Sequence, residues 1–164
     1  MTIALYRVDE RLIHGQVVVG WGNQLHPERI VVVDDALAES TWEQELYTLG
    51  LPVDLVPEFV GVAAARARLE TWRRSGEVVI LLTRDVATMR QLAAAGALAG
   101  EDINIGGLHH APGRREVLPY VFLSAEEGDA LRALDREGAS VSARDLPGAR
   151  RVPLEQLLDP EASA

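Results

Sequence analysis

The sequence predicts an open α/β architecture, a single mostly parallel twisted sheet of about six to seven strands with helices on both faces. Three observations lead there. Short runs rich in β-formers alternate with segments of roughly 10–15 residues whose apolar side chains recur at helical spacing. Two of the strand runs, RIVVV at 29–33 and EVVILLT at 77–83, are apolar almost throughout, as strands covered on both faces are. Finally, 164 residues with 48% apolar content suit one domain, 1–164, with a single core.

Taken in order, residues 2–8 (TIALYRV) form the first strand and residues 16–25 a helix with Val18, Trp21 and Leu25 on one face. The strand at 29–33 ends at Asp34 and Asp35. A helix over 37–49 follows, with Trp42, Leu46 and Leu49 at helical spacing and Gly50-Leu51-Pro52 as its stop. Residues 53–56 are a third strand, and Pro57-Glu58 open a helix carrying Phe59, Val62, Leu69 and Trp72 as far as Ser75-Gly76. Both Trp42 and Trp72 are expected in the core.

The strand at 77–83 precedes a helix over 85–95 that Gly96 caps, and 102–105 is a fifth strand ended by Gly106-Gly107. From 108 to 119 the period is lost and an extended loop is expected. Residues 120–123 are a sixth strand, and Ser124-Ala125-Glu126-Glu127 has the form of a capping box for a helix reaching Gly138. Residues 140–143 are a last strand, Pro153 opens a short helix, and the last six residues are expected to fray.

Composition removes whole classes of chemistry. There is no cysteine, hence no disulfide, thiolate ligand or cysteine nucleophile. All 16 basic residues are arginine, so a Walker A lysine and a Schiff-base lysine are excluded. A net charge of −9 argues against nucleic acid or an anionic membrane as partner. With no leader-like segment and no long apolar stretch, a cytoplasmic location is expected.

In an open parallel sheet, ligands sit beyond the carboxyl ends of the strands. The loops to inspect are therefore 9–14, 34–35, 83–85 and 106–110. The first places His14 between a strand and a helix start, where unpaired N–H groups and the helix dipole favour an anion. A loop histidine with no function is the plain alternative. Arg11 adds a cation suited to a phosphoryl group, unless it only pairs with Asp9 or Glu10. Arg7 reads equally as a phosphate ligand or a structural ion pair, and Asp9 as an orienter of His14 or Arg11 or as a loop cap.

Gly15 and Gln16 offer N–H groups to phosphoryl oxygens, though a plain helix start also accounts for them. Asp35 is a weaker candidate, better read as a helix N-cap. Gly106 and Gly107 permit close backbone approach at the same edge. The pair His109-His110 lacks a third ligand at recognisable spacing, so no metal is expected. A receiver-type aspartyl-phosphate site at Asp34-Asp35 fails for want of a lysine, and a nucleotide site for want of a glycine fingerprint after the first strand.

The run Arg7-Val8-Asp9-Glu10-Arg11-Leu12-Ile13-His14-Gly15-Gln16-Val17, followed by Trp21, resembles the signature of the mannose/fructose/sorbose class of phosphotransferase-system enzyme IIB components. The segments RIVVVDDA at 29–36 and INIGGL at 103–108, with Leu146-Pro147, resemble further parts of that family, so the likeness spans nearly the whole chain. It departs at Glu10, where the family carries aspartate, and it assigns no role to Thr83-Arg84-Asp85.

The resemblance implies a cytoplasmic phosphocarrier. It would receive a phosphoryl group on His14 from a IIA protein and pass it to a sugar taken up through a membrane IIC/IID pair, with which it associates peripherally. His14, Arg11 and Asp9 would be catalytic, Arg7, Gly15 and Gln16 phosphate-binding, and Asp35, Gly106 and Gly107 at the site edge or partner surface. No cofactor and no nucleic acid are expected, and a homo-oligomer stays open. A regulatory sensor of phosphorylation state on the same fold is the alternative.

Overall fold

The computed structural model describes residues 3–159. Seven strands form one open sheet: β1 Leu5–Val8, β2 Arg29–Val33, β3 Val56–Val60, β4 Val79–Thr83, β5 Asp102–Ile105, β8 Ser140–Ala143 and β9 Val152–Pro153. Their order is β3-β2-β4-β1-β5-β8-β9, parallel throughout except for β9. The expected open, mostly parallel sheet is present. Two further strands, β6 Arg115–Leu118 and β7 Val121–Leu123, pair apart from it as an antiparallel hairpin.

Alternation along the central strands sorts the side chains onto two faces. Leu5, Ile30, Val32, Ile80 and Leu82 join one core with Leu12, Ile13, Val17 and Trp21. Tyr6, Val8, Val31, Val33, Val79 and Leu81 join the other, under helices α4 (Val62–Arg74), α5 (Val86–Leu92), α6 (Ala125–Arg136) and α7 (Leu154–Leu158). Arg7 lies in register with Leu5, so it points to the Trp21 face.

Several boundaries differ from expectation. The first strand begins at Leu5, and Thr2 lies outside the described residues. The segment at 16–25 is helical, but Gln16–Trp21 is a π-helix that only then tightens into α1 (Gly22–Leu25). The helix expected over 37–49 is two, α2 (Asp35–Ala38) and α3 (Thr41–Leu49), broken at Ser40. The third strand is shifted to Val56–Val60, so Pro57 and Phe59 are strand residues and α4 starts only after Gly61. Proline is admissible there because β3 is the edge of the sheet and its missing N–H costs no ladder bond.

The aperiodic stretch from 108 is not simply a loop. Its second half is β6, and the register shift between Glu116 and Leu118 erased the period of two. The expected strand at 120–123 is β7 of this hairpin rather than a strand of the main sheet. Val152–Pro153 is a two-residue strand that the sequence pattern does not show, and Pro153 caps α7 from outside. The fraying expected of the last six residues falls, for residues 160–164, outside the described residues. Ser124 and Glu127 do form the capping box. No helix among the described residues is long and apolar enough to cross a membrane.

Trp72 is buried and its indole N–H donates to Glu58 at 3.1 Å. Trp42 is not a core residue: it is 65% exposed, because α3 buries none of its side chains and is tied back chiefly by Gln44, which donates to the Leu37 and Ala38 carbonyls, and by Tyr47 against Phe59. Replacing Trp72 with alanine is therefore expected to cost about 3–5 kcal/mol in urea unfolding. The same change at Trp42 should cost less than ~0.5 kcal/mol.

Candidate functional site

The connections leaving β1 and β5 run to opposite sides, which opens a crevice beyond their carboxyl ends. The loops at 9–14 and 106–110 meet there, the Glu10 N–H donating to the Gly107 carbonyl at 2.9 Å. Those at 34–35 and 83–85 meet beyond β2 and β4, where Arg84 Nε lies 3.2 Å from Asp34 Oδ2.

Asp9 is the first residue past β1, and its N–H donates to Thr83 of β4 at 2.9 Å. A tight turn follows, closed by the Leu12 N–H on the Asp9 carbonyl at 3.0 Å and by the Arg11 N–H on Asp9 Oδ1 at 3.0 Å. Leu12 takes a left-handed backbone, φ 55°, which a branched side chain adopts only under constraint. Complete burial of Leu12 and near-complete burial of Ile13 supply that constraint. The turn thus folds the chain back so that His14 reaches the carboxylate five residues earlier.

His14 Nε2 lies 2.9 Å from Asp9 Oδ2. Arg7 donates to the same oxygen from Nη2 at 3.0 Å and Nε at 3.3 Å. Since an ionised carboxylate only accepts, this pairing assigns the ring proton to Nε2 and leaves the Nδ1 lone pair free. His14 is 13% exposed, whereas Arg7 and Asp9 are fully buried. Burial alone would push the Asp9 carboxyl up; the hydrogen bond from His14 and the Arg7 charge outweigh it and hold Asp9 well below the usual carboxylate range. Burial also pulls the Arg7 guanidinium down, against the opposing pull of Asp9.

Of the two readings left open for Arg7, the structure selects the ion pair. Its Nη1 donates to Asn104 Oδ1 at 2.5 Å and to the Arg144 carbonyl at 2.9 Å, and its guanidinium carbon lies 5.6 Å from the Trp21 ring centre. No face of it is left for a phosphate. Gly106 makes room for it, since a Cβ there would come within 2.4 Å of the guanidinium.

Arg11 is 42% exposed, sits 3.6 Å from Asp9 Oδ1 through Nε, and donates from Nη2 to Gln16 Oε1 at 2.8 Å. Gln16 therefore holds Arg11 with its side chain. The Gly15 and Gln16 N–H groups take no intramolecular partner among the described residues, while those of Val17 and Val18 both donate to the His14 carbonyl. Gly107 lies against Arg11, Asp9 and His109.

Asp35 is not the N-cap it was expected to be. Asp34 caps α2 by accepting from the Leu37 N–H at 2.9 Å, and Asp35 accepts from Val62 at 2.8 Å across the β3–α4 connection. It has no hydrogen bond to the His14 loop. Sequence reasoning missed Asn104 and Trp21 as supports of Arg7. A lone asparagine inside the apolar strand β5 was the one available signal, because a polar side chain there needs a buried partner.

Arg7 and Asp9 generate two expectations. Arg7→Met leaves the Asp9 charge buried without its cation and should cost about 3–5 kcal/mol in urea unfolding. Because the folded Asp9 titrates below an unfolded aspartate, near 3.9, its stabilisation is fully present at neutral pH and is lost as pH falls through and below that range. The urea midpoint should drop on acidification below pH ~4, and the drop should be shallower in Asp9→Asn.

Comparison with known proteins bears on what this site serves. The family model described as "PTS system sorbose subfamily IIB component" matches residues 3–164. The N-acetylgalactosamine-specific phosphotransferase enzyme IIB component 1 of Escherichia coli K12 is 28% identical over 153 residues, 89% of this chain and 92% of that one. The mannose-specific EIIAB component of the same organism is 30% identical over 144 residues, 88% of this chain but 44% of that longer one. Among solved structures, manxB of Thermoanaerobacter tengcongensis superposes with a TM-score of 0.87 at 28% identity, covering 98% of this chain and 96% of that one. The IIBSor domain of the Klebsiella pneumoniae sorbose permease also reaches 0.87, at 25% identity with full coverage of both. Sequence model, relatives and fold agree: this chain belongs to the sorbose subfamily of IIB components of the sugar phosphotransferase system.

Proposed function

We propose that this chain carries a phosphoryl group on His14, received from a IIA donor protein and passed to a sugar moving through a membrane IIC/IID pair. The observation that carries the reading is the 2.9 Å contact between His14 Nε2 and the buried, ionised Asp9. It fixes the ring so that Nδ1 presents its lone pair at the helix start, and the ring needs no base to activate it.

In the first step Nδ1 attacks the phosphorus of the donor's phosphohistidine. The new P–N bond forms as the donor's P–N bond breaks, and the donor ring recovers its lone pair. The phosphorylated His14 ring, still protonated at Nε2, carries a positive charge that Asp9 offsets without taking the proton. In the second step a sugar hydroxyl attacks, the P–Nδ1 bond breaks, and the hydroxyl proton leaves to solvent or a neighbouring base. Arg11 and the Gly15 and Gln16 N–H groups serve the phosphoryl oxygens, with little bond-making left for the protein beyond positioning and charge stabilisation. Arg7 acts through Asp9, not on the phosphate.

The mannose-specific relative bears IIA and IIB in its name as one EIIAB component, which supports a IIA-type donor for this chain. A place at the cytoplasmic face, beside a membrane transporter, follows from the same reading. Gly106 and Gly107, expected at the site edge or partner surface, are both buried, Gly106 beneath Arg7 and Gly107 against Arg11, Asp9 and His109, so they support the site from below.

Incubation with the general phosphotransferase proteins, a cognate IIA and phosphoenolpyruvate should place one acid-labile phosphate on the chain, at His14 Nδ1 by phosphorus–proton NMR correlation. His14→Ala should take no label. Arg11→Ala should label about a hundredfold more slowly. Label retained by His14→Ala sinks the assignment.

A further inference from the structure

Next to Gly107 a second histidine is built into the crevice in a way that the first motif does not require. The His109 ring lies 3.0 Å from Glu10 Oε2 through Nδ1, and the same oxygen accepts the His109 backbone N–H at 3.1 Å. Glu10 is itself held: Arg114 donates to its other oxygen, to the His109 carbonyl at 2.8 Å and to both oxygens of Glu127, each at 2.8 Å. The carboxylate thus lies on the Nδ1 side of the ring and leaves Nε2 on the far side.

Nε2 approaches the same point beside Gly107 as Arg11 does. The position that a Gly107 Cβ would take lies 3.4 Å from each of His109 Nε2, Arg11 Nη2 and Asp9 Oδ1. The His109 and Arg11 nitrogens are therefore within twice that distance of one another. A phosphoryl group that reaches both nitrogens can take one hydrogen bond from each. The ring is 53% exposed, so it is reachable by an incoming group, and no other side chain of the described residues occupies Nε2 by hydrogen bond.

We propose that His109 is a second phosphoryl-binding residue, which donates from Nε2 to a phosphoryl oxygen while Arg11 holds another. The proposal rests on the phosphocarrier reading for its ligand and adds the residue that completes the grip. Glu10 gains a reason as well. Its side chain, one methylene longer than the aspartate of the resemblance, spans from the β1 loop to the loop after β5 and sets the second ring. The charged and titratable groups that face His109 are Glu10 and Asp9 on the first loop, Arg11 beside them and Arg114 from the loop before β6.

Two substitutions separate the roles of the two ring nitrogens. His109→Asn keeps a donor near the Nδ1 position, toward Glu10, and loses the group at Nε2, whereas His109→Gln keeps a donor near Nε2. In the labelling assay at pH 6, His109→Asn should accept phosphate on His14 about tenfold more slowly than the unsubstituted chain. His109→Gln should recover to within about threefold. The phosphorus NMR resonance of phospho-His14 should move in His109→Asn and stay near its original position in His109→Gln.

An unchanged rate and resonance in His109→Asn overturns the proposal and leaves the carrier reading standing. Equal slowing in both variants with an unmoved resonance also overturns it, and makes His109 a packing partner of Glu10. If the unsubstituted chain takes no label at all, the carrier reading falls, and titration with inorganic phosphate decides on His109 alone. A saturable shift of the His109 ring nitrogen that is lost in Arg11→Ala supports it, and no shift overturns it.

Discussion

The site depends on one buried ion pair. Arg7 and Asp9 are two residues apart at the end of the central strand β1, both without solvent contact, with Nη2 and Oδ2 separated by 3.0 Å. A buried charge pair of this kind contributes little net stability against an apolar pair of the same volume, while losing one partner is costly. What it does here is fix a direction. Oδ2 is filled by Arg7 and His14, and Oδ1 by the Arg11 N–H, so the carboxylate cannot rotate away from the imidazole.

Around that pair the fold is arranged as support. Asn104 from β5 and the Arg144 carbonyl beyond β8 hold the far side of Arg7, and Trp21 covers it. Trp21 is in turn held by its indole N–H on the Asp145 carbonyl at 2.9 Å, with Arg144 on its ring. The π-helix at Gln16–Trp21 sets Val17 and Trp21 inward while the His14 carbonyl accepts from both Val17 and Val18. The left-handed Leu12, pinned by burial, is the local strain that such a return loop requires. The β1 loop is thus held by packed neighbours, which is what the proposed phosphoryl transfer by positioning demands.

Much of this was legible residue by residue. Asp102–Ile105, Ser140–Ala143 and the Ser124–Glu127 cap stood out because local chemistry decides them: β-rich runs bounded by turn residues, and a side chain within reach of its own helix start. Val56–Val60 was misread because Phe59 and Leu69 happen to fit a helical period, and only pairing with β2 overrules that. Trp42 was misplaced for a similar reason, since helical spacing records a shared face but not whether anything packs against it.

By itself, the sequence determined that a histidine sits at a strand-to-helix junction with an arginine and a carboxylate close by, that lysine and cysteine chemistries are absent, and that the sheet is parallel and open. These follow from residue types and short-range spacing. Only the tertiary structure decided which arginine is buried on Asp9 and which stays exposed, because that depends on the face of β1 to which Arg7 points and on what lies opposite. It also decided that Glu10, ninety-nine residues from His109, orients a second ring. Contacts over such separations are made by sheet order, and no local pattern encodes them.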